Sequence, residues 1–244
     1  IVDEFAYLKQ GCISVGVSRQ YPGVSGKVDN CQVGVYASLV TGKRSCLINE
    51  RLFLPESWSK DAFRREEAGI PQEYREHKSK PALALEMVDQ TIKDKIHFDR
   101  VGGDGLYAHG TEWSQALDDW RILFVLDIHK DHRFFVNPPL IPIAEKTFDE
   151  GRPPSQLKTN DQTMRVDEYV QQLSEDVWTK TRIRQTDKGW LKAWMYAKEV
   201  WIWDGQETQV RKRTLIVRKT IPLRGEKQEI KYSPSNGSLE KYTM

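Results

Sequence analysis

Asp104 stands in the stretch Val101-Gly102-Gly103-Asp104-Gly105-Leu106-Tyr107, where an apolar strand delivers one acid into a run of glycines. Glycines permit close backbone approach where a side chain would obstruct a ligand. One carboxylate is not a site. The second candidate lies at the start, where Ile1-Val2-Asp3-Glu4 is again an apolar strand running into acid. Two strand-end carboxylates are the raw material of a centre that holds hard divalent cations and transfers phosphoryl groups. Side chains alternate along a strand, so only one of Asp3 and Glu4 faces such an ion, and the sequence leaves that choice open. Asp-Gly is also ordinary turn chemistry, and a lone aspartate there needs no catalytic role. The pair carries the reading.

The elements that must position these acids follow from periodicity. Ser14 to Val17 reads as a short strand, Cys31 to Val40 as a central strand, and Ser45 to Leu54 as its antiparallel continuation, stopped by Pro55. Pro55 to Lys80 is charged and punctuated, a loop with short helical pieces and Trp58 as an anchor. Leu85, Val88 and Ile92 recur at helical spacing, the stripe of an amphipathic helix on a sheet. Ile96 to Val101 is the strand that ends on Asp104. Thr111 can cap a helix presenting Trp113, Ala116, Leu117 and Trp120, and Ile122 to Leu126 is a continuous apolar fifth strand. The order predicts a mixed α/β sheet of the ribonuclease-H-like kind, which brings acids on its first and fourth strands side by side.

Past residue 130 the pattern changes. Pro138, Pro139, Pro142, Pro153 and Pro154 break up the periodicity, and Val166, Val170, Leu173 and Val177 then mark a helix. Alternating segments follow at 181–184, 191–196, 200–203, 214–218 and 229–232, with Asp204-Gly205 as a turn. The expected organisation is a core over 1–130, a β-rich insertion over 131–235 placed after the fifth strand, and a lead-in to a further helix over 236–244.

The 244 residues carry a formal charge of only +2, but unevenly. From Trp178 onward there are 15 Lys and Arg against 7 Asp and Glu, whereas the first 177 residues have six more acids than bases. A basic final quarter points toward nucleic acid, and equally toward a solvated strand surface. Cys12, Cys31 and Cys46 have neither CxxC nor His spacing, which argues against a disulfide framework and a zinc site and fits a reducing cytoplasm. No apolar run is long enough to span a bilayer, and no membrane partner is expected.

Several blocks, in order, resemble the DDE-type transposases of bacterial insertion sequences. Asp3, the Lys9-Gln10-Gly11 turn, the segment from Ser14 to Tyr21 and the segment from Gly26 to Val35 are similar to the family's first catalytic block. Leu52 to Trp58 and Ala68 to Pro71 resemble its linker, Asp104-Gly105-Leu106-Tyr107 its second acidic block, and Ile230-Lys231-Tyr232-Ser233 the segment ahead of its third. The resemblance implies a ribonuclease-H-like core that cuts and joins transposon ends with two Mg²⁺ or Mn²⁺ ions held by Asp, Asp and Glu. Asp3 and Asp104 take the first two places. It implies terminal inverted repeats and target DNA as substrates, self-association on DNA, and a bacterial cytoplasm where the protein meets the nucleoid. The third block departs from the family: none of the 9 tyrosines has Arg three residues on, and no Glu in the chain matches that position. The expectation is a catalytic-core fragment that ends just short of its third acid and is inactive or nearly so. A non-catalytic DNA-binding or assembly remnant is the alternative.

Arg19 and Lys27 in the first block, and Arg211, Lys212, Arg213, Arg218 and Lys219 in the basic quarter, are the candidate DNA contacts. Trp178, Trp190, Trp194, Trp201 and Trp203 crowd the same quarter. They read either as stacking groups on a DNA-facing sheet or as the filling of the insertion's core, and core filling is the favoured reading for each. His129 and His132, with Asp127 and Asp131, read as exposed loop.

Overall fold

The structure is a computed structural model that describes residues 1–23, 25–42, 44–108, 112–141, 159–187, 189–203, 210–222 and 227–241. By internal contacts it divides into two units, Ile1–Ile122 and Leu123–Met244.

The first unit is built on one long strand. β1 (Val2–Leu8) is followed by the short β2 (Ser18–Gln20), then by β3 (Asp29–Thr41), in which Cys31, Val33, Val35 and Ala37 bury one alternating set of side chains. β4 (Arg44–Leu52) continues from β3 as an antiparallel hairpin. β1 pairs antiparallel with one edge of β3, setting Asp3 opposite Tyr36, and β2 and β4 share the other edge. The strand read at Ser14–Val17 is instead a turn, closed by the Val17 N–H on the Ser14 carbonyl at 3.1 Å. Gly16 sits there at φ +76°, and a Cβ would come within 2.9 Å of the Phe53 carbonyl oxygen. Pairing with β3 therefore starts only at Ser18.

α1 (Glu56–Ser59) and α2 (Ala62–Glu67) are the short helical pieces of the linker. Trp58 anchors them: it is fully buried with Leu54 and Ile70, its indole N–H donates to the Val17 carbonyl at 2.8 Å, and the Arg64 guanidinium lies 3.7 Å from its ring centre. α3 (Lys80–Lys93) begins at Ser79, whose hydroxyl accepts the Ala82 N–H, with Pro81 in the first turn where its missing N–H costs nothing. The buried line is Leu83, Ala84, Met87, Val88 and Thr91. Val88 lies on it as expected, but Ile92 is 39% exposed, so the helix is rotated from the predicted stripe. The turn after α3 passes through Lys95, which takes φ +57°. Residues 96–99 then lie outside any strand, so β5 (Arg100–Gly103) starts later than its apolar sequence suggests. α4 (Glu112–Asp119) buries Trp113 and Leu117; Thr111, the proposed cap, lies outside the described residues.

In the second unit, β6 (Leu123–Leu126) leads to β7 (Arg133–Phe134), which pairs with β8 (Met164–Arg165), and then to α5 (Val166–Gln171). Of the four apolar residues read as one helix, only Val166 and Val170 are in α5; Leu173 packs against the core from beyond its end. β9 (Thr179–Thr186), β10 (Gly189–Ile202), β11 (Arg211–Ile221) and β12 (Ile230–Ser235) are consecutive antiparallel neighbours, and β6 adds beside β12. Phe134, Val166, Tyr169, Val170, Val200, Leu215, Val217 and Tyr232 make their core. The Asp204-Gly205 turn, Pro142, Pro153 and Pro154 lie outside the described residues.

Candidate active site

β1 and β5 lie close together within the first unit, although β5 is not a strand of the β1–β4 sheet; Asp3 is the second residue of β1, and Asp104 follows directly on β5. On β1 the alternation separates Asp3 from Glu4. Glu4 is half-buried, and its carboxylate meets the Lys80 ammonium of α3 at 2.9 Å, both side chains being mostly covered. Asp3 points the other way and is exposed. Its Oδ1 accepts the Glu4 N–H at 2.8 Å, and it forms no ion pair among the described residues.

Asp104 has the same local arrangement. Its Oδ1 accepts the Leu106 N–H at 3.0 Å and its carbonyl accepts the Tyr107 N–H at 3.2 Å, a turn that fixes the carboxylate in an exposed place at the end of β5. Each aspartate is thus oriented through one oxygen by a backbone N–H. The other oxygen of each has no hydrogen bond among the described residues.

Beneath them lies Tyr107, which is fully buried, with its ring centre 5.5 Å from that of Trp113. Its hydroxyl has no hydrogen-bond partner among the described residues. Burial pushes the phenol far above the usual tyrosine range, and the negative charges of Glu4, Asp104 and Asp3 push it further. All three acids therefore lie within electrostatic reach of one buried hydroxyl. Trp113 is fixed in turn by donating its indole N–H to the Pro81 carbonyl at 2.8 Å.

The donor set has the chemistry for a hard divalent cation: two exposed carboxylates, with glycines at 102, 103 and 105 leaving room beside the second. It is short in number, because among the described residues no group of three or more His, Cys, Asp or Glu gathers as ion ligands. Lys80 pairs with the charge of Glu4 and hydrogen-bonds its Oε1, while Oε2 is buried without a hydrogen bond among the described residues; Asp3 and Asp104 are the two acids without an ion pair there.

A profile of the DDE superfamily endonucleases matches residues 1–189, a span that contains both aspartates. The chain belongs to the DDE superfamily endonucleases. No curated protein matches it. The ribonuclease-H-like mixed α/β fold expected from the sequence, with flanking helices, holds for this endonuclease. No described helix is long and apolar enough to cross a membrane.

The cations singled out in the sequence have different surroundings. Arg19 on β2 and Lys27 ahead of β3 are exposed. Lys212 is ion-paired to Glu199 at 2.7 Å, and Arg213 is only 8% exposed with its guanidinium over the Phe124 ring. Strand alternation turns Arg213 inward, so it braces the sheet and does not face solvent. Arg211 is half-buried, and the Nε of Arg218 is buried without a hydrogen bond among the described residues. Lys219 lies 3.8 Å from the Trp178 ring centre. Trp190 and Trp194 overturn the core-filling reading, being 44% and 37% exposed. Lys80 and Tyr107 were missed as site residues. Tyr107 stood three places after Asp104, but nothing in sequence separates a buried phenol under the acids from an ordinary core tyrosine.

Proposed function

We propose that this endonuclease cleaves and joins DNA strands at the ends of a mobile element, and that Asp3 and Asp104 are two of its metal-binding carboxylates. The observation that carries this is their shared local geometry: two exposed acids in the family's matched span, each aimed by one backbone N–H and each with a second oxygen that has no hydrogen bond among the described residues. Glu4 is set aside as a ligand by its ion pair with Lys80. Lys80 is a positioning residue, since tying Glu4 to α3 fixes the register in which Asp3 faces the opposite side.

Mg²⁺ or Mn²⁺ held by these acids would supply the activation of an attacking water or 3′-hydroxyl and the stabilisation of the leaving oxygen. The chain's own residues orient the acids and place buried, rigid packing of Tyr107 and Trp113 beneath them. The exposed cations neutralise DNA phosphates. The substrates are transposon terminal repeats and target DNA, worked on by an assembly of chains in the bacterial cytoplasm. A two-metal centre takes a third acid, and none joins the pair among the described residues. The chain by itself therefore nicks DNA slowly or not at all, and ion binding is the better readout. Calorimetric titration with Mn²⁺ tests the assignment: binding by the native chain that is lost in Asp104→Asn is expected. Unchanged binding in an Asp3→Asn, Asp104→Asn double variant, or no binding by the native chain at about 10 mM, far above a working site's range, contradicts it and favours a non-catalytic DNA-binding remnant.

A further inference from the structure

One face of the β9–β12 sheet is closed at one end and open at the other. Along β10, Trp190, Lys192, Trp194, Tyr196, Lys198 and Val200 alternate onto this face. Tyr196 and Val200 pack in the core under α5, with the Tyr196 and Tyr169 hydroxyls 2.7 Å apart. Beyond them the cover stops. Trp194 lies opposite Lys180 on β9 and Lys219 on β11, and Lys192 opposite Arg182. Directly opposed residues share a face, so the open end gathers two exposed indoles and four cations. The Lys180 ammonium is 5.5 Å from the Trp194 ring centre, and the Arg182 guanidinium 5.7 Å from that of Trp190.

We propose that this open half-face binds an unpaired DNA strand, with bases stacking on Trp190 and Trp194 and the neighbouring cations meeting its phosphates; the inference rests on reading the chain as an enzyme that acts on DNA.

Three observations favour this occupant. None of Lys180, Arg182, Lys192 and Lys219 is in an ion pair among the described residues, so the positive charge on the face is uncompensated and calls for an anionic partner. The two indoles are separated by four residues on one strand, roughly 13 Å, which gives two stacking positions along an extended chain. Each ring also has a cation beside it, the pairing of apolar face and charge that a nucleotide presents in reverse. A duplex keeps its bases stacked on one another and offers the protein only their edges, so exposed rings gain most from bases that have left the stack. Both tryptophans lie past residue 189, where the match to the family ends.

The test is anisotropy titration of the full chain, without divalent metal, against a labelled oligothymidylate and a duplex of equal length. Trp190→Ala with Trp194→Ala is expected to weaken oligothymidylate binding by at least about 5- to 150-fold, the range for losing one stacked base, while duplex binding changes less than about threefold. Trp194→Phe alone retains most of the affinity because it keeps a stacking ring. Lys180→Ala with Arg182→Ala weakens both ligands and lowers the salt slope. Single-strand binding by the double tryptophan variant within twofold of the native chain overturns the proposal while leaving the DNA-acting reading intact, as does an equal loss for both ligands. Failure of the native chain to bind either DNA overturns both.

Discussion

The acid end of β1 and β5 and the open end of β9 and β10 manage charge in opposite ways. At the acid end each group is tied: Glu4 by Lys80, Asp3 and Asp104 by backbone N–H groups, with buried aromatic packing below. At the basic end Lys180, Arg182, Lys192 and Lys219 have no carboxylate partner among the described residues and share a strand face with half-exposed indoles. The difference suits the two roles proposed for them. Holding an ion in place for in-line displacement demands fixed oxygens, because misplacement of a fraction of an ångström is costly. Neutralising a polyanion demands only density of charge, and mobile side chains serve that as well as fixed ones.

This contrast breaks if the tied acids prove interchangeable. Asp3→Asn is expected to lower Mn²⁺ affinity at least about 100-fold, beyond the range seen for groups that merely support ligands. Glu4→Gln should leave that affinity within about threefold, and the reverse order would exchange the two roles. Next in size, Lys80→Ala strips Glu4 of its partner in a mostly covered place and should cost about 1–3 kcal/mol in urea denaturation. The Lys80→Ala, Glu4→Gln double variant should recover part of it, since no uncompensated charge remains.

A smaller effect sits on the Asp3 face of β3. There the Tyr36 hydroxyl, 3.1 Å from that of Tyr7, has its pKa pushed up to about 12, first by that hydrogen bond and then by burial and nearby charge. A raised pKa in the folded state means the folded chain holds this proton longer than the unfolded one. The contribution is full below pH 10 and is lost as pH rises toward about 12. Tyr7→Phe should return the Tyr36 titration toward 10 when followed by phenolate absorbance, and an unchanged midpoint contradicts the pairing. Smallest of all, Trp190→Ala and Trp194→Ala should each leave thermal stability within about 0.5 kcal/mol, as for surface groups. A loss of several kcal/mol would restore the core-filling reading.

How much of this was legible in sequence depended on how local its cause was. The exposure and aim of the two aspartates have local causes, since each carboxylate is turned within two residues by the N–H of Glu4 or Leu106; that they act together remains the proposal. The central strand and its hairpin were legible from alternation in Cys31 to Val40. Contacts between distant segments were not. Lys80 choosing Glu4 is settled across 76 residues by how α3 packs, and the rotation of α3 itself, with Ile92 exposed, is decided by its neighbours. The start of β5 shifted because Lys95 adopts a left-handed turn that composition does not announce. The tryptophans failed for a related reason: their burial depends on where α5 ends over the sheet, and it ends short of Trp194.

If Asp3 and Asp104 meet at one ion, Fe²⁺ supplied in place of Mg²⁺, with ascorbate and peroxide, generates radicals that cut the backbone beside both. Cuts near both Asp3 and Asp104, and the loss of both in either single Asp→Asn variant, are the predicted result. Cutting at one of the two alone, or at neither, would contradict it.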